Sequence, residues 1–333
     1  MRLRPAALVQ LVAIAAVAAF VATYPLYKSD YEATKLTLVG IYLIAILGLN
    51  LLTGYSGQIT LGHGAFMGIG AYTTAILVTK TSISDYATIP LAGIAAGLIG
   101  FLFGFPALRL HGVYLALATF GGAVAFVSIV QSTHYQGLTG GATGLFFGPL
   151  KNPYYLTWGI CAFLYLVAWL LVHSKAGRAF KAVRDAPIAA VSSGVNIALV
   201  KTLAFGIASA YAGVAGALLA IRLGSVSPLS FTVTLSILLL TGAALGGLGS
   251  LTGMIFGALF IQFAPGFAED HVSKTAPQVG YGLILLAVLF LMPGGAAQLL
   301  HRLGTLLYRT TRPLYTRAAR RAEAVATSTR SRT

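Results

Sequence analysis

Side chains able to do chemistry are few in this 333-residue chain, and they are not gathered. Six histidines (His63, His111, His134, His173, His271 and His301) are scattered, and no Cys/His cluster has the spacing of a zinc site. The single cysteine, Cys161, lies in an apolar run, so no intrachain disulfide forms. No Gly-x-x-x-x-Gly-Lys-Ser/Thr loop is present, nor any Gly-Lys pair, so the chain does not hydrolyse ATP by that mechanism. All seven acids fall in loops or in the tail. That counts against an acid/base enzyme and against a proton-driven carrier, which places ionisable groups at mid-membrane. Na⁺ coupling through backbone carbonyls stays open, and no metal or other cofactor is expected.

Backbone chemistry remains, and four stretches carry it. The first runs from Thr53-Gly54-Tyr55-Ser56-Gly57-Gln58 through Ile59-Thr60-Leu61-Gly62-His63-Gly64 to Gly68, Gly70 and Tyr72. Glycine at this density breaks regular helix, and backbone freed within a membrane must face protein or a water-filled path. Two readings follow: close packing through small residues, with Ser56 and Gln58 bonding neighbours, or a path whose half-helix N-termini attract a carboxylate. The second stretch, Phe120-Gly121-Gly122 and then Thr139-Gly140-Gly141-Ala142-Thr143-Gly144-Leu145, predicts tight turns in an outer loop and either a docking surface or a plain turn set. The third is the loop 177–196. Pro187 suits the first turn of a short helix and Gly194 its end, about two turns in all. A short helix parallel to the membrane fits a groove on a partner. The fourth, Thr241-Gly242 through Gly246-Gly247-Leu248-Gly249-Ser250 to Gly253, predicts another helix break. Leu52-Thr53-Gly54 and Leu240-Thr241-Gly242 open both glycine-dense stretches, a weak hint of an internal repeat.

The elements that must position these stretches are membrane helices. The chain is 57% hydrophobic and 9% charged, whereas a soluble domain carries about 25% charged residues. Ten continuous apolar segments are predicted: 6–25, 36–52, 59–78, 87–108, 113–131, 155–172, 200–221, 231–245, 251–267 and 279–292. Crossing the hydrocarbon takes about 20 helical residues. Segments 231–245 and 279–292 are short, and 59–78 is interrupted by Gly62, Gly64, Gly68 and Gly70. The fold class is therefore an all-α polytopic transmembrane bundle of 8–10 segments with broken or re-entrant helices. A β-barrel would alternate polar with apolar residues instead. The first segment is kept as a helix rather than a cleaved signal, because its apolar run is longer than a usual signal core.

Lys28, Lys35, Lys80, Lys151, Arg222 and Lys274 fall in one set of loops, with five of the seven acids; the other 16 of 22 basic residues share the opposite side. By the positive-inside rule that side is the cytoplasm, with Arg2, Arg4, Arg109, the loop 173–200 and both termini. Residues 1–300 form the membrane domain. Residues 301–333 form a mobile basic tail with eight arginines, attracted to anionic lipid headgroups. The net charge of +15 is distributed as membrane topology requires, so nucleic acid is not an expected partner.

Together these segments resemble the permease subunits of branched-chain amino acid ABC uptake systems, over residues 36–294. Gly54-Tyr55-Ser56-Gly57-Gln58 through Gly62-His63-Gly64-Ala65-Phe66 carry the resemblance, with Leu245-Gly246-Gly247-Leu248-Gly249-Ser250. So does the loop from Gly177-Arg178 to Val195-Asn196, leading into Ala212-Gly213-x-x-Gly216. Of the two sister types the chain looks more like the longer. The loop also resembles the general signature Glu-Ala-Ala-x-x-x-Gly: Ala189, Ala190 and Gly194 match, and Ile188 stands where Glu is usual. The resemblance implies a non-catalytic subunit of a bacterial inner-membrane importer for branched-chain amino acids or a similar small solute. Its implied partners are a sister permease, two ATPase subunits at the cytoplasmic face and an external solute-binding protein. Arg178, Arg184, Ala189, Ala190, Gly194 and Asn196 would belong to the coupling loop. Gly54, Ser56, Gly57, Gln58, Gly62, His63, Gly64, Gly246, Gly247, Gly249 and Ser250 would form helix breaks or line the path. The competing expectation is an ATP-independent channel or facilitator.

Overall fold

The computed structural model describes residues 30–81, 83–107, 112–149 and 153–271, with isolated positions at 23–24, 110, 282, 286, 290, 295 and 298. The segments predicted at 6–25 and 279–292, the tail 301–333, Arg2, Arg4 and Arg109 lie outside the described residues, apart from those isolated positions. Each of the other eight predicted segments holds a helix. The helices are α1 (Asp30–Leu49), α2 (His63–Thr81), α3 (Asp85–Ala107), α4 (Val113–Gln131), α5 (Gln136–Thr139), α6 (Tyr154–His173), α7 (Lys175–Asp185), α8 (Pro187–Ser192), α9 (Ile197–Leu223), α10 (Val233–Gly246) and α11 (Leu251–His271). Five of them, α1, α3, α4, α6 and α9, are long and apolar enough to cross a membrane; α10 and the first part of α11 are apolar but shorter.

The axis of the bundle is α9. Its 27 residues span about 40 Å, more than the hydrocarbon thickness. Asn196 starts it, its side chain accepting from Leu199 N at 3.1 Å. Helices α3, α2 and α1 pack along it. The contact is made by small residues, since in lipid van der Waals fit replaces the hydrophobic drive of water. Gly93, Gly97, Gly100 and Gly104 form one stripe of α3, and a methyl added at Gly100 would meet Ser209 Oγ at 2.1 Å. Gly70 of α2 lies against the backbone of Gly213, and Gly216 against that of Met67. The Ala212-Gly213-x-x-Gly216 pattern is thus a helix-crossing seam. By contrast, α4 and α6 are peripheral, with large apolar side chains exposed: Val113, Leu117 and Val124 on α4, Phe163, Leu166 and Leu170 on α6.

Loop 173–200 lies at the start of α9. At its far end, β1 (Leu145–Phe146) pairs antiparallel with β2 (Ser225–Val226) in register Leu145↔Val226. Gly140, Gly141 and Gly144 turn the chain tightly before β1, as their density predicts.

Two expectations need correction. Gly64, Gly68 and Gly70 do not interrupt a helix: α2 runs through them, and the break lies upstream, between Tyr55 and His63. They are glycines because each faces a close neighbour that leaves little room for a Cβ. Likewise Gly242 is no break. It lies inside α10 against Ile261 and Gly257 of α11, so the Leu-Thr-Gly repeat has no common structural role.

Candidate functional site

Helix α1 does not end at Leu49. It widens into a π-helix, Asn50–Tyr55, with Ser56 N donating to Leu51 O at 3.2 Å. Such bulges concentrate at functional sites. The chain then turns at Ser56 and Gly57, which has φ +75°, and runs on without helix to Gly62. Ser56, Gln58 and Thr60 are buried while Gly57 and Ile59 are exposed. Every buried polar group here needs a partner inside the protein. Gln58 Nε2 donates to Ser56 Oγ at 2.7 Å and to Lys201 O at 3.2 Å. Thr53 Oγ1 donates to Gln58 O at 3.0 Å, and Gly62 N donates to Thr60 Oγ1 at 3.1 Å. Ser56 and Gln58 therefore bond neighbours, which is the packing reading for those two side chains.

The second break is Gly247–Ser250, between α10 and α11. It lies against the first. Asn50, fully buried, accepts from Gly249 N through Oδ1 at 2.8 Å and donates to Ser250 O through Nδ2 at 3.2 Å. One amide thus ties two breaks that are 200 residues apart in sequence. Gly54 is glycine for a steric reason: a methyl there would meet Asn50 Oδ1 at 2.1 Å and Gly249 N at 2.5 Å.

Loop 173–200 reaches the same place. It holds two helices, where the sequence suggests one. Ser174 caps α7, accepting from Ala176 N at 3.2 Å. Gly177, Phe180 and Val183 form its buried face. Pro187 occupies the first turn of α8 as expected. Its end is a Schellman cap: Gly194 at φ +81° donates to Val191 O at 2.9 Å and Val195 N to Ala190 O at 3.0 Å. From the end of α7, Arg184 Nη1 donates to Gly54 O, and Arg184 Nε to Asp185 Oδ1 at 2.8 Å. That bond holds the Asp185 carboxyl below the usual carboxylate range. Its stabilisation is present above the unfolded value and lost only as pH falls through the lowered one, so the pair is intact at neutral pH.

Gly54, Gly57, Gly249, Ser250 and Arg184 therefore come together, with Gly246 and Gly247 at the adjoining end of α10. Other expected residues lie apart. Arg178 is exposed and reaches back to His173 O at 3.4 Å. Ala190 is buried and Ala189 exposed. Asn196 serves α9 as its cap. His63 is buried and donates through Nε2 to Ala45 O at 2.8 Å, a packing role. Gly62 abuts Thr119, and Gly64 N donates to Ser236 Oγ at 2.9 Å. Asn50, Thr119 and Ser236 escape the sequence reading. For Asn50 a signal exists: a lone amide inside a long apolar run.

Thr119 Oγ1 accepts from Leu61 N at 3.0 Å and so holds the irregular segment between the π-helix and α2 to α4. Thr119→Val keeps the shape and orphans that N–H, which costs about 1–3 kcal/mol. A melt of the purified protein in detergent should show a transition lowered by a few degrees, with the helix content unchanged.

The family described as branched-chain amino acid transport system / permease component matches residues 31–293. The LivM permease protein of the high-affinity branched-chain amino acid transport system of Escherichia coli K12 is 34% identical over 300 residues, covering 80% of this chain and 70% of LivM. Its counterpart LivH from the same strain is 26% identical, over 81% of this chain and 95% of LivH. A fructose import permease, FrcC of Rhizobium meliloti, is 28% identical over 78% of this chain and 84% of its own length. With a family match across most of its length, a helical bundle and the LivM identity, this chain is a multi-pass membrane protein of the branched-chain amino acid transport system permease family.

Proposed function

We propose that the chain is the LivM-like permease subunit of an ABC importer, carrying branched-chain amino acids along a path shared with a LivH-like sister. Energy comes from two separate ATPase subunits, and solute arrives on an external binding protein. The chain itself is not catalytic. Loop 173–200 faces the cytoplasm, which also holds both termini of an inner-membrane protein. Substrate class rests on the relatives' names: LivM and LivH both belong to branched-chain systems, and the higher identity is to LivM.

One observation carries the coupling role. Helix α8 presents Ile188, 86% exposed, and Val191, 57% exposed, at its surface. The helix is delimited by its proline start and Schellman end, and apolar residues exposed on a short capped helix suit a groove in a partner. Ile59 and Leu248, exposed at the two breaks, are the side chains we assign to the translocation path.

The test is co-purification from membranes. With Val191→Glu the chain should insert at normal yield with its sister and lose its ATPase partners at least tenfold, because a buried carboxylate replaces an apolar anchor. Retention of the ATPase subunits at wild-type yield would refute α8 as their contact.

A further inference from the structure

Arg184 belongs to the loop assigned to the ATPase contact, yet its guanidinium points the other way, into the helix breaks. The reason is electrostatic. The π-helix stops at Tyr55, so the Gly54 carbonyl lacks a donor further along its own helix. The C-terminus of α10 ends beside it, at Gly246–Gly247. Helix C-termini carry partial negative charge, and cations stabilise them. Arg184 Nη1 donates to Gly54 O. A methyl added at Gly249 would stand only 3.5 Å from the same Nη1. The stem is equally fitted: Gly57 has φ +75°, and a methyl there would be 2.7 Å from Arg184 Cγ. One turn earlier, Lys181 Nζ sits 5.4 Å from the centre of the Tyr55 ring, a second cation at the same helix end.

The other side of α7 is anchored, with Phe180 and Val183 each 2% exposed. A single residue, Ala186, separates α7 from α8. The two helices thus form one short lever, with α8's apolar residues outward and Arg184 inward. Asn50 bonds Gly249 and Ser250 to the π-helix that Arg184 holds.

We propose that Arg184 is the positioning residue that joins the α7–α8 lever to both helix breaks at once, so that displacement of α8 moves the ends of α1 and α10 together. The proposal rests on α8 being the ATPase contact. A fork of donors on a rigid plane suits the task, and a lysine, a single point charge, does it only in part.

Two measurements test it. The first uses the full chain in lipid nanodiscs, with spin labels on Ile59→Cys and Val191→Cys in a Cys161→Ser background. Wild-type Arg184 should give one narrow distance distribution. Arg184→Ala should at least double its width, and Arg184→Lys should fall between. The second uses the complete complex in vesicles and reads radiolabelled leucine taken up per ATP hydrolysed. Arg184→Ala should retain its ATPase partners and their hydrolysis while this ratio falls about tenfold. An unchanged distance distribution overturns the proposal, and so does a wild-type uptake ratio. A merely structural arginine would lower yield without changing that ratio. Should Arg184→Ala fail to insert, Arg184→Gln, which keeps a donor on a similar stem, is judged by the same two criteria. Failure of the docking reading is separate: it shows as ATPase retention by Val191→Glu, with the Arg184 distance change still present.

Discussion

Gly216→Ala will remove most of the folded protein from the membrane fraction. The added methyl would stand 1.8 Å from Met67 O and 3.0 Å from Ala71 N, both backbone atoms of α2. No rotamer change relieves such a clash, so α2 and α9 must separate. Nearby, Gly70 and Gly213 meet backbone to backbone across the same seam, where a methyl on Gly70 would be 2.1 Å from Gly213 O. Separating the helices there forfeits dispersion contacts along a whole crossing, and in lipid no hydrophobic drive compensates. The expected cost is at least ~3 kcal/mol, the upper part of the range for overpacking. Size-exclusion chromatography in mild detergent should show loss of the monodisperse peak. Gly121→Ala is the control: nothing lies within 4 Å of its added methyl, and the peak should be unchanged.

Asn50→Leu has the second largest expected effect, for a different reason. The leucine roughly matches the shape of the amide and removes both of its hydrogen bonds. It leaves Gly249 N–H and Ser250 C=O without the partner that now ties them to α1. Orphaning each group costs about 1–3 kcal/mol, so a total of about 2–6 kcal/mol is expected. Unlike the Gly216 variant, this one keeps its helix packing and should still insert. The loss should appear as faster proteolysis or hydrogen exchange confined to residues 247–250 and the π-helix. Wild-type protection at both breaks would mean that the amide does not hold them together.

How much of this was legible in the sequence depends on the range of the interaction concerned. Pro187 and Gly194 mark α8 because proline fixes its φ and glycine admits the positive φ of the cap, so helix start and stop are local facts. The break at Gly247–Ser250 was legible for the same reason. Eight apolar segments on described residues could be found because a membrane helix needs only length and hydropathy. Gly64, Gly68 and Gly70 misled, since a glycine that breaks a helix and one that admits a neighbour look alike until the neighbour is known. Gly68 shows this: its neighbour is the Phe126 ring of α4. Helix α7 was missed because its apolar face is only Gly177, Phe180 and Val183, a sparse signal in a basic loop. The inward aim of Arg184 spans 130 residues of sequence, and the Asn50 bonds span about 200. No local pattern encodes contacts of that kind.

Family membership places the chain among permease components, and both breaks meet at Arg184, in the loop that bears α8. The decisive measurement is solute flux in proteoliposomes, comparing this chain alone with the full assembly of sister, ATPase subunits and loaded binding protein. Accumulation of leucine, isoleucine or valine should require every component together with ATP, and should stop when ATP is replaced by a non-hydrolysable analogue. Flux of those amino acids through the isolated chain, with or without ATP, would contradict the account and make it a facilitator.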